Sequence, residues 1–383
     1  MDITVLDVVP KCKKMVIYCI QERSAFGKML ETFRFHSTMI RNCTKRLTLK
    51  ATIIVVVLFY WVLLQNQEAP ISELLEERCD RSGWNYSTTA GRTRDFGSRF
   101  RVSFADIQKS QRWLHLPKIK NPTWNRDILM IVASRPGSVS RRKVLRKTWM
   151  NKANSKIIRN GRMQVLFLVG MVAGDRDLMK AVKKEAESFG DIIVMNLEDT
   201  YDNLPFKVLS LLLYGTNKAS DFKIIGKIDD DVIFFPDRLT PLLDENVIDS
   251  SSYSIYGYLS QDDELVVRNE TKPWYVPETA YNCTKYPVYA LGPFYLITNK
   301  AANLIVENSR FQNFMTVEDA LIAGIIAEGL GIQRHSLPMV FRYRFDNTDG
   351  KKILSWHMSK RSDRQFLDFY QQSLALYQLE QES

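Results

Sequence analysis

Long apolar runs are scarce in this 383-residue chain. One stretch alone, ATIIVVVLFYWVLL from Ala51 to Leu64, combines length with a complete absence of charged and amide side chains. Cysteine is also sparse, with five in all: Cys12, Cys19, Cys43, Cys79 and Cys283. No internal repeat or low-complexity tract is present. With 45% hydrophobic and 25% charged residues the composition is that of a globular protein, with room for one large domain or two modest ones. A basic excess outside the N-terminus is missing too. Residues 1–50 hold ten Lys/Arg against four acids, which accounts for +6 of the formal +10. The remainder is too weakly basic to argue for a nucleic-acid partner.

The apolar run is the first feature with a direction. As a helix it is roughly 21 Å long, short for a bilayer core of about 30 Å, and a buried core helix is the alternative. Leu47 and Leu49 extend it, Lys50 can snorkel to the headgroups, and Tyr60 and Trp61 suit the far interface. Arg41, Lys45, Arg46 and Lys50 precede it, whereas Glu68, Glu73, Glu76 and Glu77 follow. This asymmetry predicts a cytosolic tail (1–50), a single transmembrane signal-anchor (51–65) and everything beyond across the membrane. No small-residue cleavage site follows, so the anchor is expected to be retained. Its short span suits the thinner membranes of the early secretory pathway. A start at Met39 instead of Met1 would leave a short basic tail. On the far side lie Cys79 and Cys283, which make at most one disulfide or remain two free buried thiols. Glycosylation sequons there begin at Asn85, Asn269 and Asn282.

Residues 66–120 are polar with no sustained period and read as a stem. From Asp127 the pattern sharpens. ILMIVAS, QVLFLVG, DIIVMN and FKIIGKID are buried-strand runs, separated by amphipathic helical segments. The helix SVSRRKVLRKTWM takes its cap from Ser138 or Ser140, DRDLMKAVKKEAESFG ends at Gly190, and NLPFKVLSLLLYGTNKA carries Pro205 in its first turn. Strands alternating with helices predict βαβ units and a mostly parallel sheet covered on both faces. Such sheets bind ligands beyond the carboxyl ends of their strands.

Asp229, Asp230 and Asp231 stand at the carboxyl end of the fourth strand. Three adjacent carboxylates repel one another unless a cation faces them. Carboxylate oxygens suit Mg²⁺ or Mn²⁺, which bind through one or two carboxylates together with substrate phosphates. His357, in SWHM, is a candidate third ligand, with a structural role as the alternative. A second acidic pair, Glu318 and Asp319 in TVEDALIAGIIAEGLGI, opens an amphipathic helical pattern. Either it complements the helix dipole or it supplies a general base.

These segments occur in an order that resembles the β-1,3-galactosyltransferase/N-acetylglucosaminyltransferase family of Golgi enzymes (glycosyltransferase family 31). RKVLRKTW (Arg142–Trp149), FLVG (Phe167–Gly170), the block from Asp199 through Tyr201, Asn203 and Leu204 to Lys207, KIDDDVIF (Lys227–Phe234), YPVYALGPFYLIT (Tyr286–Thr298) and VEDA (Val317–Ala320) carry the resemblance over about residues 125–330. It implies a GT-A-like α/β nucleotide-sugar-binding fold, here predicted over 121–350 with a helical extension over 351–383. It also implies Mn²⁺ (or Mg²⁺), a UDP-sugar donor such as UDP-galactose or UDP-N-acetylglucosamine, and a glycan acceptor on glycoprotein or glycolipid. Transfer would invert the anomeric centre and form a β1,3 bond. Asp229 and Asp231 would stand at the metal, Asp319 would be the base beside Glu318, and localisation would be the Golgi membrane with a lumenal catalytic domain. The chain departs from the family pattern at Ala290, Phe294 and Ala323, where Cys, Gly and Gly are common.

Other candidates stand beside the acidic residues. Arg142 and Arg146, four apart on one helix face, are candidates for holding the nucleotide diphosphate, or else form a solvated basic face. Lys207 and Asp230 are further candidates at the donor. Lys227 reads better as an ion pair. Trp274, Tyr275, Tyr281, Tyr286 and Tyr289 are either rings for stacking a sugar or core packing. DRQFLDFYQQSLALYQL predicts a docked terminal helix. A catalytically silent, membrane-tethered carbohydrate-binding protein on the same fold is the alternative to an enzyme.

Overall fold

The computed structural model describes residues 93–95, 101–103, 107–117, 126–341 (apart from 263 and 279) and 352–382. The predicted tail, the signal-anchor (51–65) and most of the stem lie outside the described residues. Among the described residues, no helix is long and apolar enough to cross a membrane.

A small hairpin of β1 (Thr93–Asp95) and β2 (Arg101–Ser103) precedes α1 (Ile107–Ser110) and β3 (Trp113–His115). The predicted alternation then follows closely. The strands are β4 (Ile128–Ala133), β5 (Met163–Met171), β6 (Ile192–Glu198) and β7 (Ile224–Asp229). Between them run α2 (Val139–Lys147), α3 (Lys156–Arg159), α4 (Arg176–Phe189) and α5 (Leu204–Lys218). Asp175 caps α4 by accepting from the Leu178 N–H, and Gly190 ends it at φ 65°, a conformation that costs glycine little.

All four strands are parallel, with β4 lying between β5 and β7, and β6 outside β5. β3 closes that edge antiparallel to β6. On the other side β10 (Ala290–Thr298) runs antiparallel to β7, β9 (Ser254–Leu259) antiparallel to β10, and β11 (Gln333–Ser336) parallel to β9. The eight-stranded sheet is therefore mixed, parallel through its centre. Side chains alternate along β4, so Leu129 and Ile131 join one core with α5, while Ile128, Met130 and Val132 join a second core on the opposite face. Burial on both faces explains the nearly continuous apolar runs. Because β10 is reversed, its start lies at the end of the sheet where β4–β7 finish.

Two elements depart from the sequence pattern. The stretch after Glu318 and Asp319, expected as an amphipathic helix, is a π-helix (Ala320–Ile326) in which all seven residues are buried. Its wider turn accommodates one additional residue. Ala323 stands where the family pattern has glycine, and the glycine occurs one place later. A Cβ on Gly324 would meet Tyr289 Cβ at 3.0 Å. The second departure is a three-stranded sheet of β12 (Val340–Phe341), β13 (Ser355–His357) and β8 (Val232–Phe234). It pairs His357 with Val232, directly after the acidic triplet. The terminal helix α6 (Asp363–Glu382) docks as its pattern predicts: Phe366 and Tyr370 are buried, Phe235 stacks on Tyr370, and Asp363 pairs with Arg141 at 2.7 Å.

Candidate active site at the carboxyl ends of the strands

The parallel strands end at Ser134, Gly170, Asp199 and Asp229, or within a residue of them, and the start of β10 brings Gly292 to the same rim. A Cβ on Gly170 would meet the Leu197 carbonyl at 2.6 Å, so glycine permits the close approach of β5 to the end of β6. Its N–H donates to Asp199 Oδ2 at 2.9 Å. Asp199 pairs with Lys207 at 2.8 Å, and both side chains are almost wholly buried. Lys207 Nζ also donates to the Ser134 carbonyl at 2.8 Å, and Asn203 Nδ2 donates to the Glu198 carbonyl at 2.9 Å. The block from Asp199 to Lys207 is thus a locked turn. Lys207, expected at the donor, is committed to Asp199.

The same correction applies to the two arginines. Arg142 is fully buried and holds Glu185 through two bonds of 3.0 and 2.7 Å. Arg146 is shared between Glu185 (2.7 Å) and Asp191 (2.7 Å). Burial alone would raise the Glu185 carboxyl, but the two guanidinium groups outweigh it and hold it below the usual carboxylate range. Neither arginine is left open for a diphosphate. Arg142 acts instead from below: it donates to Ser134 Oγ at 3.2 Å, and Ser134 Oγ donates to Asp230 Oδ2 at 2.9 Å.

Lys227 joins the two acidic clusters. Only 1% exposed, its Nζ lies 2.7 Å from Asp229 Oδ1 and 3.7 Å from Glu318 Oε2, and it donates to the Gly292 carbonyl. Burial would depress this ammonium, yet the charges of Asp229 and Glu318 more than offset that and keep it protonated. Glu318 is buried and accepts from the Tyr295 hydroxyl. Burial, opposed by Lys227 and reinforced by Asp319, raises Glu318 to about 7. Asp319 is the more open of the pair. Its Oδ2 accepts from the Gly292 N–H at 2.8 Å and its Oδ1 from the Ala320 N–H at 3.0 Å. Gly292 and Tyr295, both in the YPVYALGPFYLIT block, are therefore the supports of the acidic pair. The sequence of the block carries no local signal for those roles, which depend on where β10 meets the turn before Ala320. Phe294, between them, points into the opposite core against Phe234.

At the triplet, Asp229 and Asp231 each leave about a third of the side chain open. Burial raises Asp229, partly offset by Lys227 and reinforced by Asp231; burial raises Asp230 as well, opposed by Ser134 and reinforced by Asp231. Burial acts upward on Asp231 too, but its bond to His357 and the charges of His357 and Arg141 leave it lowered. His357 Nε2 stands 3.3 Å from Asp231 Oδ2. Among the described residues no group of three acidic, histidine or cysteine side chains forms a preformed metal cage. The structure brings Asp231 and His357 together and turns Asp229 onto Lys227. One carboxylate and one imidazole, beside further carboxyls in excess of their counter-charge, fit a hard divalent ion that completes its shell with water and substrate oxygens.

A sheet with parallel strands at its centre thus carries an acidic triplet at the end of one strand and a second acidic pair held beside it, an arrangement that suits a hard cation together with a phosphate-bearing ligand. Comparison with known proteins makes this specific. The family model described as Galactosyltransferase matches residues 140–338. The chain is 39% identical over 336 residues to Beta-1,3-galactosyltransferase bre-2 of Caenorhabditis elegans, covering 86% of this chain and 92% of that protein. It is 27% identical over 213 residues to the Lactosylceramide 1,3-N-acetyl-beta-D-glucosaminyltransferase of Xenopus tropicalis, covering 54% and 56%. It is 24% identical over 249 residues to human Beta-1,3-galactosyltransferase 5, covering 64% and 77%. The chain belongs to this galactosyltransferase family, is a hexosyltransferase, and acts in β1,3 linkage with a nucleotide-sugar donor and a glycan acceptor.

Proposed function

We propose that this chain is a metal-dependent, inverting β1,3-hexosyltransferase of GT-A type. It moves galactose or N-acetylglucosamine from UDP to a hydroxyl of a glycoprotein or glycolipid glycan. The observation that carries this reading is Lys227, whose single buried ammonium binds Asp229 of the triplet and Glu318 of the pair. It makes one site of two acidic clusters far apart in sequence.

The roles divide by exposure. Asp319, the more open carboxylate, accepts the proton of the acceptor hydroxyl as that oxygen attacks the anomeric carbon from the face opposite UDP. The Gly292 N–H holds the carboxylate in place for this. Glu318 is too enclosed to reach substrate and serves to hold Lys227 and Tyr295. Asp231 and His357 would hold Mn²⁺ or Mg²⁺, with Asp229 and Asp230 adding negative potential. When bound, the ion supplies charge stabilisation to the departing diphosphate. A single displacement needs one base, the role given to Asp319, and no covalent intermediate with the protein.

The placement proposed is a single-pass type II Golgi membrane protein with its catalytic domain in the lumen. Cys283 is disulfide-bonded, which supports an oxidising compartment. The test is a donor screen on the full-length protein with Mn²⁺, with linkage analysis of the product. Transfer from UDP-galactose or UDP-N-acetylglucosamine, lost in Asp319→Asn and in EDTA, is expected. Full activity in EDTA would overturn metal dependence.

A further inference from the structure

The aromatic residues between Trp274 and Tyr289 divide sharply. Tyr281, Tyr286 and Tyr289 are core residues, packed on one another at 5.8 and 6.0 Å. Trp274, by contrast, is 54% exposed, a large apolar surface to leave open. It is not loose. Its Nε1–H donates to the Tyr201 hydroxyl at 3.1 Å, and Tyr201 is itself 46% exposed. An indole N–H and a phenol oxygen both lie at ring edges, so this bond is made through the edges and does not itself cover either face.

Both rings are fixed from behind. Tyr201 belongs to the locked turn between Asp199 and Lys207. The Trp274 loop is gathered by Arg268, which donates to the carbonyls of Val276, Tyr281 and Cys283 at 2.7, 2.7 and 2.6 Å. The Tyr275 carbonyl accepts from Thr316 Oγ1 at 3.4 Å, two residues before Glu318. Tyr201 follows two residues after Asp199, whose carboxylate accepts from the Gly170 N–H at the carboxyl end of β5, so the ring belongs to the same rim of the sheet. Burial raises its phenol, opposed by the Trp274 bond and reinforced by the charges of Asp319, Glu318 and Asp229. The pair is thus tied to the Asp319 side of the site. Asp231, immediately before β8, and His357, on β13, belong with the separate three-stranded sheet.

We propose that Trp274 and Tyr201 form an aromatic platform for the acceptor glycan, stacking the apolar C–H face of a pyranose ring while Asp319 takes the proton from its hydroxyl. The inference rests on the reading of Asp319 as the base. A hydroxyl under attack must lie within hydrogen-bond reach of that carboxylate. The ring bearing it therefore falls beside the exposed aromatic faces. The ligand class is a neutral hexopyranoside with one face carrying contiguous C–H groups, as in galactose- and glucose-type sugars. Aromatic rings favour such surfaces because they bury apolar area at little loss of side-chain freedom.

The experiment uses full-length protein in detergent micelles, with acceptor and donor KM measured separately and with glycan-array binding as a readout independent of turnover. Trp274→Ala should raise acceptor KM about tenfold while donor KM stays within about twofold, and should lose array binding. Trp274→Phe, which keeps a ring, should recover most of both, and this guards against a folding defect. Tyr201→Phe, which removes the Trp274 partner but keeps the ring, should raise acceptor KM about threefold. An unchanged acceptor KM in Trp274→Ala, or a rise confined to donor KM, overturns the platform and leaves the transferase reading intact. Array binding lost in Trp274→Ala by a protein that transfers no sugar supports the platform and overturns the transferase reading. A wild-type protein that neither binds nor transfers overturns both.

Discussion

Gly292 donates its backbone N–H to Asp319 Oδ2 across 2.8 Å, while its carbonyl accepts from Lys227. One peptide segment thereby sets the position of the base and of the cation between the acidic clusters. A Cβ at Gly292 would meet Asp319 Oδ2 at 3.2 Å, close enough to displace the carboxylate by a few tenths of an ångström. Gly292→Ala should lower kcat about tenfold or more with donor KM little changed. Steady-state kinetics and a thermal melt, the latter nearly unshifted, check this.

Lys227→Met should be severely destabilising. It leaves Asp229 and Glu318 without their shared counter-ion, and breaking a buried charge pair costs about 3–5 kcal/mol. Adding Glu318→Gln to Lys227→Met should recover part of the loss, because the orphaned buried carboxylate is then neutral. Chemical denaturation of the single and double variants measures the difference.

The elevated Glu318 carboxyl predicts a pH dependence of stability. Its folded value of about 7 lies above the ordinary 4.5, so the folded state binds the proton more tightly than the unfolded chain. Its contribution is fully present below about pH 4.5 and is lost as pH rises through about 7. Glu318→Gln cannot titrate there. The Tm difference between Glu318→Gln and wild type should therefore move in favour of the variant across that interval, as read by melts at successive pH values.

His357→Ala should weaken Mn²⁺ binding in the presence of UDP by about tenfold or more, since it removes the group beside Asp231. Calorimetry or electron paramagnetic resonance of bound Mn²⁺ reads this without reference to turnover. An unchanged affinity would remove His357 from the proposed ligand set.

The parallel half of the sheet was legible because burial on both faces writes apolar runs into β4, β5, β6 and β7. Local signals such as Gly190 and Pro205 set the helix limits. The antiparallel half was less so. β9, β10 and β11 pair across long sequence separations, and no periodicity states which edge they join. At the site, the carboxylates Asp229, Asp231 and Asp319 were readable as chemistry. What the positive residues do was not. Arg142, Arg146 and Lys207 looked like ligands for phosphate, but each faces a carboxylate brought in from another element. That partnership depends on how α2, α4 and α5 lie on the sheet. The supports Gly292 and Tyr295 were visible only as unexplained members of a block.

The wide-pitched helix after Asp319 limits which substitutions that segment can tolerate. All seven of its residues are buried, so a side chain enlarged anywhere along it meets packed core and not solvent. Gly324 has the least room, because a Cβ there would meet Tyr289 Cβ at 3.0 Å. Polar substitutions that one face of an ordinary surface helix would accept are therefore excluded from this segment.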